Sequence, residues 1–182
     1  MNIGALTTQI IQDVAGDKLK GLAGNRNRDW TSALWQILKD IARKNHLQLH
    51  PKDRPYKGEY LVDFVLFDCG RGPIFACESQ LWFWRRDIKG HLSDIDWAFD
   101  KLMGVKSNVK MLLFEYEFES DGRLPKRLSS KFEAYLLSYE RHVIGEHYLF
   151  VQVSGGDSRV FEWKATRTSG HKKIAFTALS LS

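Results

Sequence analysis

Apolar residues recur at intervals of three and four at Trp30, Leu34, Ile37, Leu38 and Ile41, the spacing of one buried helical face. A helix over about Asp29–Asn45 follows, with Asp29 placed to cap it. Upstream, residues 1–28 mix apolar patches with Gly16, Gly21 and Gly24, which predicts a short helix and then a loop. Downstream the period shortens. "HLQLH" predicts a short strand at Leu47–Leu49 before two prolines interrupt it. "EYLVDFVLFD" (Glu59–Asp68) and "PIFACESQLWF" (Pro73–Phe83) are strand-like runs separated by "CGRG", whose glycines suit a tight hairpin. Ser93 is placed to cap a helix over Asp94–Met103, with Asp96 at its third position and Gly104 as its stop. "NVKMLLFEYEF" is apolar through its middle and predicts a central strand. A long helix over about Lys126–Arg141 should turn Leu128, Phe132, Tyr135, Leu136 and Tyr139 inward. Two strands, "EHYLFVQV" and "SRVFEWKA", meet at Gly155-Gly156-Asp157, and the end holds a basic turn and a last strand.

No repeat, low-complexity tract or linker interrupts these elements, so the expectation is one α/β domain over 1–182. Its 182 residues, 43% of them hydrophobic, suffice for one sizeable core. Lysine and arginine number 27 against 22 acids, and the resulting +5 modestly favours an anionic partner. The amino terminus lacks a basic segment followed by an apolar one, and no run of 18 apolar residues occurs anywhere. The expectation is a soluble, cytoplasmic protein with no membrane partner. Cys69 and Cys77 suit a reducing compartment and, without other thiols or clustered histidines, make no zinc site; both read as small buried hydrophobes. His46, His50, His91, His142, His147 and His171 have no metal-ligand spacing. Neither a Ser/His/Asp arrangement, a phosphate loop nor a dinucleotide fingerprint is present.

One strand departs from its apolar character. "GPIFAC" runs on into "ESQLW", which puts the carboxylate of Glu78 and the amide of Gln80 where a partnerless charge costs several kcal/mol. Ala76, Glu78 and Gln80 share one face of their strand, as Leu61, Asp63 and Val65 share one of theirs. A hairpin turning at Gly70-Arg71 pairs residues whose numbers sum to 141 and sets Asp63 opposite Glu78, with Cβ atoms roughly 5 Å apart. Carboxylates so close repel unless a positive charge stands between them. Mg²⁺, with Mn²⁺ as the alternative, takes oxygen ligands and accepts one or two carboxylates plus water. The plainer reading is a solvated acid pair without metal, against which Asp63 lies between Val62 and Phe64 and Glu78 follows "IFAC".

The order helix, strands, "VDFVLFD", 14 residues between Asp63 and Glu78, "CESQ", helix, strand resembles the PD-(D/E)XK nuclease superfamily over about Asp29–Phe118, a little under half the chain. That resemblance implies a restriction-endonuclease-like mixed β-sheet flanked by helices, with a C-terminal elaboration over about 119–182. It implies a Mg²⁺-dependent nuclease acting on DNA. Asp63 and Glu78 match the family's metal-binding acids. Gln80 stands where the family has a lysine that positions the attacking water, and Val62 where it has proline. Some members with Glu or Gln at the lysine position are active, and others with degraded sites are not. The alternative is therefore a catalytically inactive module that binds nucleic acid or a protein. In some members the lysine has moved to the helix after the Glu strand, where this chain has Lys101. There Asp94, Trp97 and Lys101 form one stripe beside the apolar Ile95, Ala98, Phe99 and Leu102. Lys101 is then either the displaced catalytic lysine or a surface lysine paired with Asp100 or Asp96. Trp82 and Trp84 fall on the face of Gln80, and Trp84 with Arg85 and Arg86 is the candidate nucleic-acid contact. Arg123, Lys126, Arg127, Lys172 and Lys173 are lesser candidates for the phosphate backbone. The oligomeric state is left open, a homodimer included.

Overall fold

The alternating and helical patterns resolve into α1 (Ile3–Ala15), α2 (Asn27–Lys44), β1 (Gln48–His50), β2 (Phe64–Asp68), β3 (Gly72–Gln80), α3 (Ile88–Gly104), β4 (Val109–Glu115), α4 (Lys126–Ser138), β5 (His147–Ser154), β6 (Asp157–Lys164) and β7 (Thr177–Leu179) in a computed structural model. It describes residues 2–16, 27–52, 61–81, 88–139, 142, 144–154, 157–165 and 176–179, with backbone alone at 27–29 and 88. The side chain of Asp29, residues Glu59–Tyr60 and Trp82–Phe83, and the Gly155-Gly156 junction lie outside that description.

The seven strands form one mixed sheet whose spatial order is the chain order. β3, β4 and β5 are parallel, while the flanking pairs are antiparallel. Parallel neighbours need crossovers, and α3 and α4 supply them. Both crossovers step in the same direction along the sheet, so right-handed connection puts both helices on one face. There Leu92, Ile95, Phe99 and Leu102 of α3 and Leu128, Phe132 and Leu136 of α4 pack on Val65, Ala76, Leu112, Phe114 and Phe150. The opposite face is covered by Leu6, Ile10 and Val14 of α1 with Trp30, Leu34, Leu38 and Ile41 of α2, against Phe64, Leu66, Phe75, Cys77, Met111 and Leu113. The molecule is thus mixed α/β with helices on both faces. β4, fourth of seven and buried through Phe114, is central, as its apolar run predicts.

Boundaries depart from the sequence expectation where tertiary packing intervenes. α3 starts at Ile88, so Ser93 is an exposed residue inside the helix and caps nothing. His91 and Leu92 are buried, which extends the packed face upstream of Ser93. α4 ends at Ser138, and Tyr135, expected inward, is 36% exposed with its ring edge toward Phe99. α1 is capped by Asn2, whose side chain accepts from the amides of Gly4 and Ala5. Among the described residues no helix is long and apolar enough to cross a membrane.

Candidate active site

The β2–β3 hairpin sets the site's register, and it does so through an irregularity. Next to the turn Asp68 pairs with Gly72 and Phe67 with Pro73; farther along Leu66 pairs with Phe75, Val65 with Ala76 and Phe64 with Cys77. Ile74 is therefore left without an opposite residue, as in a β-bulge. Gly72, at φ +85°, makes the left-handed exit from the turn that L-residues with a Cβ resist. Carried on without the bulge, the turn-side register would set Asp63 opposite Cys77 of the α1/α2 face. With it, Asp63, one residue before β2, falls opposite Glu78. The expected pairing is reached by an asymmetric turn plus a bulge, not by a symmetric turn at Gly70-Arg71.

Each acid is held from the other's side of the hairpin. The Asp63 amide donates to Glu78 Oε1 (3.1 Å), while Asp63 Oδ2 accepts from the amide (2.9 Å) and hydroxyl (2.8 Å) of Ser79. From the last turn of α3, Lys101 brings its ammonium to 2.7 Å from Glu78 Oε1. Lys101 does not pair with Asp96, which is bound by Lys131 of α4, and Asp100 is exposed. The same ammonium lies over the Trp97 ring, 4.2 Å from its centroid. Glu78 is 0% exposed and its Oε2 has no hydrogen-bond partner among the described residues. Burial first, and then the charge of Asp63, push the Glu78 carboxyl up to about 7, against the lowering effect of Lys101 and of the Asp63 amide.

Gln80 ends β3, half-buried and two residues beyond Glu78 on the same face, in register with Phe114. Trp84, Arg85 and Arg86 lie outside the described residues, as do Lys172 and Lys173. Arg123, Lys126 and Arg127 are exposed around the start of α4, and Arg123 pairs with Asp121. Of the two cysteines expected to be buried, Cys69 is exposed in the β2–β3 turn, whereas Cys77 is fully buried, its thiol pushed well up by burial and then by Asp63 and Glu78, so it stays protonated and unreactive. Alternation assigns Ser79 to the face opposite Glu78 and gives no signal of its role, yet its amide and hydroxyl both donate to the Asp63 carboxylate, which leaves the bend at Leu61–Asp63 just before β2.

The donor set suits a hard divalent cation in part. The Asp63 carboxylate is near enough for its charge to act on Glu78, and one oxygen of Glu78 is buried and unspent, an arrangement Mg²⁺ accepts when water and phosphate complete its shell. Among the described residues no group of three or more His, Cys, Asp or Glu side chains gathers that could hold a metal by protein ligands alone. No protein-family model matches the chain, and no curated protein is significantly similar to it.

Proposed function

We propose that this protein is a Mg²⁺-dependent nuclease that hydrolyses DNA phosphodiester bonds on a restriction-endonuclease-like core. The observation that supports the reading best is the convergence on Glu78 of Asp63, from the segment entering β2, and of Lys101, from a crossover helix, while the second oxygen of that buried carboxylate has no hydrogen-bond partner among the described residues. Asp63 and Glu78 would hold the cation. When bound, it supplies Lewis acidity toward water and charge neutralisation toward the phosphate. Ser79 keeps Asp63 turned to one rotamer through two hydrogen bonds. Lys101, as an ammonium, donates to an oxygen placed beside Glu78, which orients the attacking water and offsets charge growing on the phosphate. Gln80, at the strand end, offers an amide that can donate to or accept from the same water.

The rival reading is a non-catalytic module, and one observation favours it: Lys101 already gives Glu78 a positive neighbour without any metal. Supercoiled plasmid and single-stranded DNA, incubated with the protein in Mg²⁺, Mn²⁺ or EDTA beside Glu78→Ala, separate the two. Cleavage that needs metal and vanishes in Glu78→Ala and in Lys101→Ala is expected. DNA binding without cleavage under any metal would overturn the enzymatic reading.

A further inference from the structure

Trp97 is the most exposed large hydrophobic side chain of the described residues, at 62%, yet it is not isolated. Trp97, Lys101 and Gly104 follow one another at four and three residues along α3, one stripe of the helix. Lys101 in the middle of that stripe touches both the Trp97 ring and buried Glu78. At its far end, Leu61, 57% exposed, has a methyl carbon 3.6 Å from where a Cβ on Gly104 would stand. Two exposed apolar groups therefore flank the ammonium that guards the carboxylates, one on the helix and one on the segment leading to Asp63.

An apolar rim beside a cation suits a ligand with a flat apolar surface joined to a nearby anion. A nucleobase on its phosphodiester has that form, and base–aromatic stacking tolerates any sequence because every base has a π-face. In duplex DNA those faces are covered by neighbouring bases, so a stacking residue favours an unpaired strand. Building on the proposed nuclease reading, we infer that Trp97 is a stacking platform that holds one unpaired base at the site's edge and makes single-stranded DNA the preferred substrate form. Trp97 is a positioning and specificity residue here, with Leu61 as a second apolar surface at the Gly104 end of the stripe.

The test uses fluorescein-labelled oligothymidylate, an abasic oligomer of equal length and a duplex, bound in EDTA so that nothing is cut. Wild type should bind the oligothymidylate roughly tenfold more tightly than the abasic oligomer. Trp97→Ala should bring the two to parity without changing abasic affinity, and Trp97→Phe should keep most of the difference. Equal binding of oligothymidylate by wild type and Trp97→Ala, or duplex bound as tightly as single strand, would overturn it. Cleavage is measured separately with Mg²⁺. Trp97-dependent binding without cleavage leaves the stacking inference standing and removes the nuclease reading; cleavage indifferent to Trp97 and to strand form does the reverse.

Discussion

Lys101 and Lys110 each bring an ammonium to a buried glutamate on the α3/α4 side of the sheet, and the two pairs are built in opposite ways. Lys110 of β4, 1% exposed, donates to the Tyr148 hydroxyl at 3.0 Å and lies 3.5 Å from Glu146 Oε2. Tyr148, opposite it on β5, donates to the same Glu146 oxygen at 3.0 Å, and His142 contacts the hydroxyl at 2.9 Å. Burial lowers the Lys110 pKa, against Glu146, and raises that of the Tyr148 hydroxyl. No side-chain polar atom of this group is both buried and without a partner. At Glu78 one oxygen takes two donors while the other has none, a second carboxylate stands close by, and Lys101 keeps 18% of its side chain in solvent beside an exposed ring. A saturated pair has nothing left to offer a ligand, whereas an unsaturated one at the surface does.

The sharpest way to break that contrast is to remove each lysine's partner role in turn. Lys110→Met should destabilise the fold by about 3–5 kcal/mol, because Glu146 then keeps a buried charge without its ammonium. Urea melts at neutral pH measure it, and a loss below about 1 kcal/mol, the range of exposed pairs, would undo the structural reading of this network.

The next effect is that of pH. The Glu78 carboxyl titrates near 7 in the folded chain against an ordinary value of 4.5. Between those values the folded state holds a proton that the unfolded state has lost, so stability falls as pH rises through the window and levels off above it. The fall contributed by this group is about 3 kcal/mol, and Glu78→Gln should remove it. Melts of both proteins from pH 4 to 8 should diverge by that difference in slope; parallel curves would mean that the carboxyl is not raised.

Metal should have a smaller effect. Mg²⁺ at about tenfold over its dissociation constant should add about 1.4 kcal/mol to wild type at pH 8. The increment should shrink at pH 5.5, where Glu78 carries its proton, and be absent in Glu78→Ala and unaffected by changes around Lys110. Thermal melts with and without metal read it directly. The smallest effect is expected for Lys101→Met, about 1 kcal/mol at pH 7, because a proton can replace the missing ammonium on Glu78. Since Lys101 lowers the Glu78 pKa, its loss should also move the upper end of the pH window above 7. A loss as large as that of Lys110→Met would show that both pairs are structural.

Much of this arrangement follows from short-range rules that one strand or helix obeys by itself. The period of two put Glu78 and Gln80 on one face and Phe75 and Cys77 on the other, and the apolar stripe of α3 placed Lys101 at the border of its buried side. The central position of β4 followed from the apolar run through its middle for the same reason. The pairing of Asp63 with Glu78 was legible because hairpin register depends on few residues, although the bulge at Ile74 that secures it was not. Where the helices land on the sheet was beyond local reading. Lys101 is 23 residues from Glu78 in sequence, and its ammonium reaches the carboxylate only because α3 packs across β3 and β4 with Ile95, Phe99 and Leu102 facing down. Lys110 inside "NVKMLLFE" gave as much sequence signal as Glu78 inside "IFACESQ", yet one became saturated and the other did not. That outcome rests on Tyr148 and Glu146, which arrive through a crossover of more than thirty residues. Alternation and period are properties of a backbone segment and can be read from its residues, but which buried charge finds enough partners depends on groups that only the packed layers bring within reach.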